Sequence, residues 1–146
     1  MDDDTLSTPR IAFVCVQNAG RSQMATAFAE EETDERTLDV EILTGGTHPE
    51  DEVHDVVVSA MAELGIDISG RNPRKITTDE LISCDYVATM GCSTLDVSEA
   101  ESKVEVRDWD LDDPHGESIE GVREIRDEIH ERVSDLFDEI ESERRV

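Results

Sequence analysis

One junction constrains this chain more than any other. Ile11-Ala12-Phe13-Val14 is a short apolar run of the kind buried in a parallel sheet, and Met24, Ala25, Ala27 and Phe28 follow at helical spacing. Between them, Cys15-Val16-Gln17-Asn18-Ala19-Gly20-Arg21-Ser22 is a loop that wraps a helix N-terminus. There the unpaired backbone N–H groups and the positive end of the helix dipole converge on an anion, and successive N–H groups of a tight loop form an anion nest. The loop from Val16 through Gln17, Asn18, Ala19 and Gly20 to Arg21 and Ser22 is therefore the expected oxyanion-binding segment. Cys15 sits at the bottom of the nest, where the same field and the Arg21 guanidinium favour a thiolate and lower its pKa. Arg21 offers the planar fork that grips two oxygens of a tetrahedral anion. Asn18 and Gly20 suit the loop's backbone, and the Ser22 hydroxyl can donate a hydrogen bond to the thiolate.

The rest of the chain reads as alternating strands and helices. The spacing predicts a first helix from Ser22 to about Glu32, and a strand at Val40 to Leu43 closed by Gly45-Gly46. Val53, Val56, Val57, Met61 and Leu64 mark one face of a second helix that stops at Gly65. A short helix at Asp79 to Ile82 precedes a strand at Tyr86 to Met90, and another strand is expected at Val104 to Val106. Val122, Ile125, Ile129, Val133, Leu136, Phe137 and Ile140 form an amphipathic stripe over a long C-terminal helix. Such alternation argues for an α/β fold whose parallel sheet is covered on both faces, with ligands beyond the carboxyl ends of the strands.

Two further groups enter the chemistry by position. Cys92 follows Met90-Gly91 at the carboxyl end of its strand, on the same sheet edge as Cys15, and is a candidate second thiol. Cys84 lies at the opposite end of that strand, about 20 Å from Cys15 at the usual rise per residue, and reads as structural. Asp113 precedes Pro114, which holds it in extended or turn geometry, in a loop that can reach the pocket; Asp110 and Asp112 compete with it as general acid. His48, His54, His115 and His130 are scattered without metal-ligand spacing, so no metal site is indicated.

With these residues in view, the loop from Cys15 to Ser22 resembles the phosphate-binding loop of the low-molecular-weight tyrosine phosphatase superfamily. Arg21-Ser22-Gln23-Met24-Ala25 resembles its arsenate reductase branch. So do Gly45-Gly46-Thr47-His48, Thr89-Met90-Gly91-Cys92, and Trp109-Asp110-Leu111-Asp112-Asp113-Pro114 followed by Gly116. The resemblance implies a phosphatase-like domain over 10–146, with a four-stranded parallel sheet of order 2-1-3-4, behind a disordered acidic tail over 1–9. It favours Asp113 as the general acid. It implies that Cys15 attacks an arsenate or phosphate oxyanion, and that Cys92 resolves the arsenic adduct by forming a disulfide reduced by a thiol partner such as thioredoxin or a glutaredoxin-like protein; no cofactor is implied. Hydrolysis of phosphotyrosine or a small phosphoester is the alternative. The chain departs from the branch in two places: Ser93 to Ser98 contains no third cysteine to relay the disulfide, and Thr26 stands where many reductases have a glutamate implicated in cation binding. His115-Gly116 replaces the paired aromatics of phosphotyrosine-binding members, and Tyr86 is the one tyrosine.

Charge bounds what remains. Thirty-eight Asp and Glu face 13 basic residues, a formal net charge of −25 over 146 residues. That field disfavours nucleic acid and anionic membranes as partners. Low hydrophobicity with high charge would suggest disorder, but the apolar residues are periodic and the acids fall between them. The acidic, lysine-poor surface resembles that of haloarchaeal cytosolic proteins, in which concentrated salt screens self-repulsion. Three cysteines make no disulfide framework, and no apolar run suits a signal peptide or membrane span. A halophilic, cytoplasmic protein with reduced thiols is expected.

Overall fold

The computed structural model describes residues 8–90, 105–109, 111 and 117–144. Its elements are β1 (Arg10–Cys15), α1 (Arg21–Arg36), β2 (Glu41–Gly46), α2 (Asp55–Ala62), α3 (Thr78–Ile82), β3 (Tyr86–Met90), β4 (Glu105–Asp108) and α4 (Ile119–Arg144). The four strands form one parallel sheet of order β2-β1-β3-β4, the order the resemblance implied.

Strand periodicity sorts the side chains to two faces. From β1 and β3, Ile11, Phe13, Cys15, Tyr86, Ala88 and Met90 enter the larger core beneath α1, α2 and α4. Ala12, Val14 and Val87 point the other way, onto Ile76, Leu81 and Cys84 beside α3. The residues of β1 after Arg10 are all buried, which is why this strand carries no alternation in sequence and reads as a continuous apolar run. The C-terminal stripe also behaves as its spacing dictates: Val122, Ile125, Ile129, Val133, Leu136, Phe137 and Ile140 are all buried. Full burial of one such side chain contributes about 1.5–3 kcal/mol, so α4 is a principal source of the core's stability.

Strands β2 and β4 each run two or three residues past the expected end, α2 starts at Asp55 and leaves Val53 outside it, and two helix ends also differ from the sequence reading. Helix α1 runs on to Arg36, because Arg36 bonds the carboxylate of buried Glu32 at 2.6 Å and those of Asp138 and Glu141 on α4 at 2.8 and 2.7 Å. Long-range ion pairs, invisible to local periodicity, thus extend a polar segment. Helix α2 ends at Ala62, so Leu64 falls off its apolar face and is 46% exposed. Gly65 follows in the left-handed region, at φ 79°. Of the expected acidic tail, residues 1–7 lie outside the described part; Pro9 is buried, and its carbonyl accepts the Glu41 N–H at 2.9 Å. Among the described residues no helix is long and apolar enough to cross a membrane.

Candidate active site

The parallel order places the carboxyl ends of β1 and β2 side by side, with Cys15 opposite Gly46. Cys15 ends β1 and is only 2% exposed; Arg21 opens α1. The loop between them can be understood by asking where its carbonyl oxygens go. Cys15 O accepts from Thr47 N at 3.3 Å, Val16 O from His48 N at 2.8 Å, Gln17 O from Glu50 N at 3.0 Å and Ala19 O from His54 N at 2.9 Å. The Asn18 carbonyl accepts from Gln23 Nε2 at 3.0 Å, and that of Gly20 from Met24 N, also at 3.0 Å, in the first turn of α1. Each carbonyl from Cys15 to Gly20 is therefore committed outside the nest. Carbonyl dipoles that would repel an anion are tied down by the 47–54 segment, by Gln23 and by the helix itself.

Asn18 is the keystone inside this loop. It is fully buried and lies at φ 53°, a left-handed conformation that Asn tolerates better than other side-chain-bearing residues. Its Oδ1 accepts from the backbone N–H of Arg74 at 2.9 Å and from Gln23 Nε2 at 3.1 Å. Because a backbone N–H can only donate, this contact fixes which way the amide points. Its Nδ2 then donates to Ser22 Oγ at 2.7 Å and to Thr44 Oγ1 at 2.9 Å. Ser22 Oγ, already an acceptor, turns its own hydrogen to Cys15 Sγ at 2.9 Å, and the Asn18 N–H donates to the same sulfur at 3.2 Å. Two donors thus meet at the sulfur. Thr44 passes its hydrogen on to Phe13 O at 3.2 Å.

The neighbouring strand end must be bare. A Cβ on Gly46 would lie 2.5 Å from Val16 O and 3.0 Å from both Asn18 N and Cys15 O, so only glycine lets β2 approach the loop this closely. Arg21 is 8% exposed, and its Nη1 donates to Leu111 O at 3.1 Å, linking the start of α1 to the segment that follows β4.

The structure brings together Cys15, Asn18, Arg21 and Ser22 with the loop amides of Val16, Gln17, Ala19 and Gly20. Cys92 and Asp113, with Asp110 and Asp112, lie outside the described residues. Cys84 is buried at the far end of β3; its thiol donates to Glu80 O at 3.3 Å, and burial pushes its pKa up to about 11. Among the described residues no cluster of three or more His, Cys, Asp or Glu could hold a metal ion. The sequence reading missed Gln23, Thr44, the 47–54 segment and the Arg74 amide as supports. Gln23 left a trace, as a polar residue where the first turn of α1 becomes wholly buried, and Thr47-His48 left one as part of a segment of family resemblance.

The fold is a parallel α/β sheet whose first strand ends in a buried cysteine, in a loop closed by an arginine at the first turn of a helix. The chain belongs to the low molecular weight phosphotyrosine protein phosphatase family, which it matches over residues 10–146. A Halobacterium salinarum protein that carries the name arsenate reductase provisionally is 65% identical over 135 residues, 91% of this chain and 94% of that protein. A Synechocystis protein named glutaredoxin arsenate reductase is 33% identical over 135 residues, 90% of this chain and 98% of that one. A solved YwlE arginine phosphatase variant with a phosphorylated active-site serine superposes with a TM-score of 0.82 at 25% identity, covering 93% of this chain and 98% of that one.

Proposed function

We propose that this chain is an arsenate reductase acting in a salt-rich cytoplasm. The pocket geometry supports the first step: Cys15 Sγ attacks the arsenic of an arsenate held by the loop N–H groups from Val16 to Ser22 and by the Arg21 fork. A hydroxyl leaves as water on taking a proton, which we assign to Asp113, and a Cys15 S–As(V) bond forms. Cys92 then attacks Cys15 Sγ. The new S–S bond forms as the S–As electron pair passes to arsenic, which departs as arsenite, and a thiol reductant of the thioredoxin or glutaredoxin type returns the disulfide to two thiols. Residues 93–98 hold no third cysteine; in this reading the reductant attacks the Cys15–Cys92 disulfide directly, the other route being a mixed disulfide with an external thiol in its place.

The 65% identity to the Halobacterium protein across nine-tenths of both chains is the observation that carries the choice of arsenate. The second reading, phosphoester hydrolysis through a phosphocysteine, is favoured by the family's name and by the likeness to the arginine phosphatase. It shares the first step and needs no second thiol. The deciding assay uses purified protein in multimolar salt, with arsenate-dependent oxidation of a thiol reductant measured beside hydrolysis of an aryl phosphate. The account expects oxidation to dominate and Cys15→Ser to remove both activities by on the order of 10³-fold or more. Aryl-phosphate turnover without thiol oxidation establishes the second reading.

A further inference from the structure

Gln23 lies in the first turn of α1 and is 1% exposed. An amide buried so completely needs partners within the protein. Its Nε2 donates to the main-chain carbonyl of Asn18 at 3.0 Å and to Asn18 Oδ1 at 3.1 Å. Both are oxygens that only accept, so the amino end is fixed there and Oε1 faces elsewhere. Among the described residues no group donates to Oε1. The hydrogen bonds that this side chain makes to the protein are thus all at its donor end, and all to one residue. That residue governs the nucleophile. Asn18 sits at a left-handed φ of 53°; its N–H donates to Cys15 Sγ at 3.2 Å, and its Nδ2 donates to Ser22 Oγ, which lies 2.9 Å from the same sulfur. Main chain and side chain of Asn18 therefore each govern one of the two contacts to the sulfur, and Gln23 holds an oxygen on each. The other donor to Oδ1, the Arg74 N–H, reaches the side chain alone.

We propose that Gln23 is a positioning residue for the cysteine step: acting through Asn18, it sets where Cys15 Sγ stands relative to the bound oxyanion. This deepens the reading of Cys15 as the nucleophile of an oxyanion site and rests on it. The Gln23 side chain bonds neither the sulfur nor a loop N–H, so its loss should cost reaction geometry more than anion affinity. Without its amide the Asn18 carbonyl loses its donor and the left-handed backbone loses a restraint, while the side-chain amide keeps only the Arg74 N–H. Both contacts to the sulfur then loosen together. A misplacement of about 1 Å between reacting atoms is enough to slow a reaction on the order of 10²-fold.

Gln23→Met tests this by keeping the length of the side chain and removing the amide, with Gln23→Leu as a second variant should the first fail to fold. Two quantities are measured in multimolar KCl. One is the dissociation constant of inorganic phosphate by titration calorimetry. The other is the single-turnover rate of the Cys15 step, read as arsenate-driven thiol loss or, should the wild type hydrolyse aryl phosphate instead, as phenol release. The rate is expected to fall at least about tenfold while the phosphate constant stays within about threefold of wild type. Added to Asn18→Ala, Gln23→Met should cost clearly less than it costs alone, because the two act in series. A wild-type rate, a parallel loss of rate and affinity as from a merely structural contact, or fully additive losses in the double variant overturns the proposal. In the wild type, NMR should find the Gln23 side-chain amide hydrogens protected from exchange; exchange at the rate of an exposed amide overturns it without any variant. Wild-type protein that binds no phosphate and shows neither activity defeats the oxyanion reading itself, and is thereby told apart from a failure of the positioning role alone.

Discussion

The oxyanion loop and the outer face of α4 solve opposite electrostatic problems. From Cys15 to Gly20 the chain has no charged side chain, and its order comes from neutral, buried hydrogen bonds in which every carbonyl has a donor. Helix α4 carries ten Asp and Glu against four Arg. Two of its arginines hold a distant carboxylate, Arg123 and Arg126 both pairing with Glu63 beyond the end of α2, while Arg132 holds Glu128 one turn back on the same helix. Neutral buried bonds are independent of the salt outside. A net-acidic surface repels itself and is stabilised when salt screens it, so the proposed anion site sits inside a shell that should depend on ions.

Withdrawing salt should break this contrast most severely. Circular dichroism across a KCl series is expected to show Tm rising steeply with salt and structure lost at low ionic strength; a flat Tm would place the surface in no need of screening.

Asn18→Ala comes next, striking the loop and sparing the surface. It strands the Arg74 N–H, frees the Ser22 hydroxyl and leaves alanine at a left-handed φ. Each buried polar group left unpaired costs about 1–3 kcal/mol. Tm should fall at every salt concentration, and kcat/KM by on the order of 10²-fold, as for a small misplacement of reacting groups. A change in activity that salt restores would assign Asn18 to the surface problem instead.

Glu63 tests the shell. The Arg123 guanidinium, with Arg126 beside it, holds its carboxyl down to about 2. Its stabilising effect is thus present above the ordinary carboxylate range and lost as pH falls from about 4.5 toward 2. Glu63→Gln should lower Tm by a few degrees at pH 7, and the gap from wild type should close in acid. Since Glu63 is exposed, the effect is small and shrinks with salt.

Cys84 gives the smallest effect. With its thiol held protonated by burial, it should resist alkylation at neutral pH until the protein unfolds. Its contribution to stability is present below the ordinary thiol pKa and lost as pH rises toward about 11. Cys84→Ser should leave activity at the wild-type level.

How much of this could be read in the sequence follows the same division. The β1-loop-α1 junction and the α4 stripe are local patterns, and they were legible because burial of a strand or helix face imposes its own period. The placement of Cys15 at the end of β1 and of Arg21 and Ser22 at the start of α1 was legible because loop and helix start announce each other. The supports were not. Thr47, His48, Glu50, His54 and Arg74 act on the loop through backbone N–H groups, which every residue but proline possesses, so their side chains carry no signal of the role. Thr44 meets Asn18 only because β2 pairs with β1 in one register, Phe13 opposite Thr44. The extension of α1 to Arg36 depended on acids roughly a hundred residues away, beyond any local window.

Central to the proposed mechanism is the displacement of arsenite from Cys15 by Cys92, with a Cys15–Cys92 disulfide as the product. Its most direct test is a single-turnover reaction of fully reduced protein with arsenate and no external thiol, followed by alkylation under denaturing conditions and peptide mapping by mass spectrometry. The account predicts the loss of two titratable thiols, a Cys15–Cys92 disulfide, a freely alkylated Cys84, and one arsenite released per protein. A Cys15–Cys84 disulfide, or arsenite released by Cys92→Ser at the wild-type rate under the same conditions, would contradict it.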